Sequence, residues 1–105
     1  MRRSGAYLTG VGSGNALPKE FCLHQNYPNP FNPSTTIRYN LPQEAQTSLK
    51  VYNALGQLVE TLVDQVQHVG TYSVRFDASR LPSGMYLYRL QSGSMSSVGR
   101  MMLLK

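Results

Sequence analysis

Asn26-Tyr27-Pro28-Asn29-Pro30-Phe31-Asn32-Pro33-Ser34-Thr35-Thr36-Ile37-Arg38-Tyr39 is the stretch that decides the fold, because it sets three prolines within six residues directly before an alternating run. Each ring fixes φ near about −65° and pushes the residue before it toward extended conformations, so no helix starts here. The asparagines between the prolines are expected to bond their own backbone in Asx-turns, which makes the segment a compact corner rather than a tether. Tyr27 and Phe31 then point in fixed directions. Both rings are expected to plug one end of an apolar core, a ligand platform being the alternative. Beyond the corner, Ile37, Tyr39 and Leu41 alternate with Thr36, Arg38 and Asn40 until Pro42. That period belongs to a strand with one buried face.

The same reading extends in both directions. Phe21-Cys22-Leu23 forms a short first edge strand, and the Gly- and Ser-rich residues Met1 to Ala16 read as a mobile linker. Downstream, Leu49 and Val51 point inward, and Asn53-Ala54-Leu55-Gly56 reads as a type I turn with a left-handed glycine. Gln57 to Val63 carries apolar spacing that suits helix or strand; the tight turn before it favours a strand returning onto Leu49 to Asn53. Gly70 opens a strand with Tyr72, Val74 and Phe76 on one face. After Leu81-Pro82-Ser83-Gly84, the alternation of Tyr86, Tyr88 and Leu90 with Met85, Leu87, Arg89 and Gln91 predicts a central strand covered on both sides. Gly84 is expected in a turn at positive φ or at a spot where backbones approach closely, because an aromatic strand starts abruptly behind a proline turn. Ser97 to Leu104 closes the domain as a hairpin partner of the Tyr86 strand. About seven strands at even spacing predict an all-β antiparallel sandwich. Its expected core is Ile37, Tyr39, Leu49, Val51, Tyr72, Val74, Phe76, Tyr86, Tyr88 and Leu90.

Composition agrees. A chain of 105 residues is one domain at most, and it buries about 60–65% of its unfolded surface, enough for a core without staples. The single cysteine, Cys22, excludes an internal disulfide and is expected to act as a small buried hydrophobe. Net charge is +5, but the ten basic residues are scattered singly, which disfavours nucleic acid as a partner. After Asp77 there is no acid, while Arg80, Arg89, Arg100 and Lys105 follow, so the last third is weakly cationic. No run approaches the eighteen or so apolar residues of a membrane helix, and no stable membrane insertion is expected. Arg2 and Arg3 precede no apolar signal-peptide core, so a signal peptide and an upstream partner sequence are expected outside this chain.

Catalytic constellations are not legible. His24 and His68 are isolated, the acids Glu20, Glu44, Glu60, Asp64 and Asp77 are well separated, and no nucleophile motif or metal-ligand spacing occurs. Asp64 and Asp77 sit where turn-capping aspartates are common. The chain is expected not to be an enzyme, with no catalytic, metal-binding or cofactor-binding residues and no cofactor.

Leu23 to Ile37, including Tyr27, Pro28, Asn29, Pro30 and Phe31, resembles the opening of the C-terminal sorting domains of the type IX (Por) secretion system, type A. Leu81-Pro82-Ser83-Gly84-Met85-Tyr86 is similar to that family's Gly-x-Tyr motif, carried here by Gly84 and Tyr86. Arg100-Met101-Met102-Leu103-Leu104-Lys105 is similar to its basic-apolar-Lys ending, with Arg100 where the family usually has Lys. The resemblance spans roughly Leu17 to Lys105. It implies a sorting domain over residues 17–105, built as an immunoglobulin-like sandwich and carried behind a secreted passenger in Bacteroidetes-type bacteria. It further implies the type IX translocon and a surface sortase as partners, transit through the periplasm, and arrival at the cell surface or outside the cell. Arg100 to Lys105 are the residues expected to be read by the secretion machinery, through unpaired backbone groups at the strand edge. The alternative is a carbohydrate-binding or spacer sandwich module of a secreted glycosidase, in which Tyr27, Tyr52 or Tyr88 would stack on sugars.

Overall fold

The computed structural model describes residues 17–105. The expected linker, Met1 to Ala16, lies outside the described residues. Seven strands follow the proline pattern: β1 (Cys22–Leu23), β2 (Ser34–Leu41), β3 (Ala45–Asn53), β4 (Leu58–Gln67), β5 (Gly70–Asp77), β6 (Gly84–Ser92) and β7 (Met95–Leu103). They form two antiparallel sheets, ordered β1-β2-β5 and β4-β3-β6-β7. No helix occurs among the described residues.

In constant-type immunoglobulin domains the fourth strand lies in the sheet of the first; here β4 stays beside β3. The turn between them explains this. Asn53 Oδ1 accepts hydrogen bonds from the Leu55 and Gln57 amides at 2.9 and 3.0 Å, and Gly56 adopts φ +86°. A connection this tight returns the chain onto its own neighbour. The return strand runs to Gln67, longer than the expected Gln57 to Val63.

The pleat sorts the residues. Ile37, Tyr39, Leu41, Leu49, Val51, Phe76, Tyr86, Tyr88 and Leu90 are buried, joined by Phe31, Ala78, Met101 and Leu103. Tyr72 and Val74, expected in this core, are half-buried and pack against it, because β5 is the edge of its sheet. Cys22 is half-buried for the same reason. Phe31 and Phe76 meet with ring centroids 6.2 Å apart, and Tyr39 stacks on Tyr72 at 5.3 Å.

Polar groups in this interior are paired, as they must be to avoid the cost of desolvation. Tyr39 donates to Gln67 Oε1 at 2.6 Å, and the Thr47 and Ser92 hydroxyls lie 3.0 Å apart across β3 and β6. Asp77 Oδ1 accepts from the Ser79 amide at 3.0 Å, the turn cap expected of it, and this bond holds its carboxyl below the usual range. Gly84 has φ +153°, a conformation that side chains rarely adopt.

The expectation of a strand covered on both sides fails. β6 is central in its sheet but covered on one face only: Met85, Arg89 and Gln91 are exposed and Leu87 is half-buried. With three strands facing four and no helical layer, nothing among the described residues lies over the outer face.

Two outcomes follow. Phe76→Ala removes a fully buried ring, and chemical denaturation should show a loss of about 3–5 kcal/mol. Burial pushes the Tyr39 hydroxyl from 10.0 up to about 12. The unfolded chain therefore loses this proton first, and the stabilisation present below pH 10 is lost as pH rises toward 12. The melting temperature should fall across that window, and less steeply in Tyr39→Phe.

Candidate functional site

The proline corner starts on one sheet and ends on the other. Tyr27 exchanges backbone hydrogen bonds of 3.0 and 2.9 Å with Thr36 of β2. Four residues later the Phe31 amide donates to Met102 O at 2.9 Å, and the Leu104 amide donates to Phe31 O at 3.0 Å. The bonds Tyr27-Pro28, Asn29-Pro30 and Asn32-Pro33 are cis. Asn29 Oδ1 accepts from the Met102 amide at 2.9 Å, and Gln25 Nε2 donates to Arg100 O at 2.8 Å. The outward backbone groups of β7, from the Arg100 carbonyl through the Leu104 amide, are thus occupied by Gln25, Asn29 and Phe31. The open strand edge expected at Arg100 to Lys105 is closed along this length.

Asn29, one of the asparagines between the prolines, spends its Oδ1 on the Met102 amide rather than on the expected Asx-turn, and Asn26, ahead of the prolines, has no Asx-turn open to it. An Asx-turn from Asn26 needs the amide of the second residue on, and that residue is Pro28, which has none. Asn26, buried, instead donates through Nδ2 to Thr35 Oγ1 and Pro28 O at 3.0 and 3.2 Å. Its Oδ1 accepts from Gln25 Nε2 at 2.6 Å. Its own amide donates to the Tyr88 hydroxyl at 3.0 Å, and that hydroxyl donates to His24 O at 3.0 Å. The amide and both side-chain polar atoms of Asn26 are matched. Burial raises the Tyr88 hydroxyl pKa, against the hydrogen bond from Asn26.

Tyr88 reaches the corner by crossing Gly99, its cross-strand partner on β7. A Cβ on Gly99 would fall 2.5 Å from the Tyr88 hydroxyl oxygen and 2.7 Å from Cε2. A glycine directly beneath an aromatic ring lets the ring lie flat over the strand.

The Gly84–Tyr86 segment closes the same end. Gly84, Met85 and Tyr86 pair with Leu103, Met102 and Met101. Tyr86 donates to Pro82 O at 2.7 Å. Lys105 donates from its amide to Ser83 Oγ at 3.0 Å and from Nζ to Ser79 O at 2.8 Å. Three segments far apart in sequence, 25–33, 84–86 and 100–105, therefore meet at the β6–β7 end of the sandwich.

Within 100–105 the pleat divides the residues: Met101 and Leu103 are buried, Met102 is half-buried, and Arg100, Leu104 and Lys105 are exposed. Of the two rings expected to plug the core, Phe31 does so at 2% exposure, while Tyr27 is 81% exposed. The bridge to Thr36 holds Tyr27 on the β2 side, where no described element covers it. There it borders an open groove of about 620 Å³ with His24, Gln25, Thr36, Arg38 and Thr71. Tyr88, a candidate for sugar stacking, is buried, and Tyr52 is half-buried. Sequence reasoning missed Asn26, Thr35 and Gly99. Only an unusual signal pointed to Gly99: a glycine inside a strand.

Among the described residues no group of His, Cys, Asp or Glu is placed to hold a metal. A search of curated proteins found no match. Residues 25–104, by contrast, match the family described as secretion system C-terminal sorting domain. The chain belongs to this family of non-catalytic tails, and it is a C-terminal sorting signal for type IX secretion. Membership implies interaction with the type IX machinery, an attached upstream passenger, and secretion to the cell surface or the extracellular space.

Gly99→Ala should destabilise the domain by about 1–3 kcal/mol, since the added methyl meets a ring tethered at its hydroxyl. Equilibrium denaturation measures the loss, and Tyr88→Phe in the same assay isolates the hydroxyl's share.

Proposed function

We propose that the domain works as a folded label: residues 17–105 carry the signal, Met1 to Ala16 link it to the passenger, and Arg100 to Lys105 are part of what the translocon reads. The passenger crosses the periplasm with the label folded behind it, and a surface sortase then cuts near the linker. The observation that carries this reading is the meeting of the three family-like segments at one end, with Lys105 tethered to Ser79 and Ser83. A terminus held in one geometry offers a receptor a preorganised surface, which lowers the entropic cost of binding.

The pleat makes a clean test available. Deleting Leu104 and Lys105 removes exposed residues and leaves Leu103 buried. Behind a periplasmic reporter in a bacterium with type IX secretion, this deletion should abolish export. It should lower the melting temperature by no more than about 8 °C, the shift of roughly 1 kcal/mol in a domain this size. Deleting back through Met101 should lose both export and fold. Export that persists in the shorter deletion removes the signal from this end.

A further inference from the structure

No described residue lies over the outer face of the four-stranded sheet, and its side chains form regular rows. Across the strands, Leu58, Tyr52, Leu87 and Arg100 form one row, and Met85 with Met102 forms the row beside it. On the other side lies the row Lys50, Arg89, Val98. Leu58, Met85 and Val98 are 54%, 40% and 58% exposed. A shallow depression of about 160 Å³ opens among Asn29, Met85, Arg100, Met101 and Met102.

Charge on this face is unbalanced. Lys50 and Arg89 are direct cross-strand neighbours, an arrangement that destabilises a sheet when both carry the same sign. The ion pair found among the described residues is His68 with Glu44, and none involves Lys50, Arg89 or Arg100. The acids of β4 beside this face, Glu60 and Asp64, are exposed: Glu60 precedes Thr61, the cross-strand partner of Lys50, while Asp64 lies opposite Ser48 and accepts a hydrogen bond from Gln46 at 2.9 Å, and neither forms an ion pair among the described residues.

We propose that this face, and not the strand edge, is the surface through which the secretion machinery holds the domain, its partner being an apolar protein surface bordered by carboxylates. The inference rests on the sorting reading. Because Gln25, Asn29 and Phe31 seal the edge from the Arg100 carbonyl to the Leu104 amide, a receptor meets this length of β7 through side chains. Arg100 and Met102 project onto the outer face beside Leu87 and Met85. Met side chains adapt to an irregular partner, and carboxylates would neutralise Lys50, Arg89 and Arg100 together. A second copy of this face would set cations against cations. Residues 1–16 contain no acid to complement it. Three cations also fall short of the roughly four to eight clustered ones that read as anionic-lipid binding.

The test compares full-length reporter fusions in a bacterium with type IX secretion. Arg89→Glu turns the like-charge pair with Lys50 into an opposite-charge pair, so the melting temperature should hold or rise. Export should fall at least tenfold, with the reporter retained in the cells. Met85→Ser on the same face should also lower export. The double variant Arg38→Glu/Arg75→Glu, on the outer face of the other sheet, should export like wild type. Stability and export moving in opposite directions in Arg89→Glu supports recognition by this face, since a structural role moves them together. Wild-type export in Arg89→Glu overturns the proposal and leaves the sorting reading standing, as does equal loss from both faces. Failure of the unsubstituted domain to export overturns both. Co-sedimentation of the domain with phosphatidylglycerol vesicles, or a concentration-dependent dimer in sedimentation, either one lost in Arg89→Glu, assigns the face to lipid or to a second copy and overturns a protein partner.

Discussion

The hydrogen bonds between the proline corner and the last strand are the constraint on which this sandwich depends. A strand at the margin of a sheet carries unpaired amides and carbonyls on its outer side, and natural proteins cover or interrupt such edges. Here the covering element is itself part of the opposite sheet. The corner leaves β2 at Tyr27 and arrives at β7 by Phe31, so one short segment braces both layers. Its prolines suit it to this role, because they supply carbonyls without amides that would need partners of their own. Pro28 O accepts from both Asn26 Nδ2 and Thr35 Oγ1, and Pro33 O accepts from the Ala78 amide at 2.8 Å.

Behind the brace lies a buried polar knot. Asn26, Thr35 and the Tyr88 hydroxyl sit in the interior, where an unmatched donor or acceptor is costly. The two bonds of the Tyr88 hydroxyl reach Asn26 and His24, 62 and 64 residues away, which only the folded topology brings together. The Tyr88 ring spans from β6 over Gly99 of β7 to His24 and Asn26 ahead of the corner. The identity of the corner and the integrity of the C-terminal strand are thereby tied through one side chain.

For a sorting signal this coupling has a functional meaning. The C-terminal residues serve two purposes by alternation: Met101 and Leu103 complete the core, while Arg100, Leu104 and Lys105 face solvent. A chain that misfolds at the corner loses the surface as well as the core. What is presented outward is a sheet face on which cations stand beside methionine and leucine with no carboxylate paired to them. The His68–Glu44 contact is exposed, and surface pairs contribute little. The fold rests on packing and backbone satisfaction.

The sequence by itself determined the strands, because their period of two and the prolines and glycines that interrupt it are local physics: β2 ends at Pro42, Gly56 and Gly84 take positive φ, and Ile37, Tyr39, Leu49, Val51 and Phe76 point inward. It also carried the three segments by which the family is recognised. Only the tertiary structure decided that these segments meet, since contact between residue 31 and residue 103 is a property of sheet order and not of any local pattern. The same order left Tyr27 outside while Phe31 went in, left the outer face of β6 bare although its residues are fairly apolar, and closed an edge that alternation alone would leave open. Periodicity states which side chains share a face; what lies over that face depends on how many strands and turns the rest of the chain brings to it.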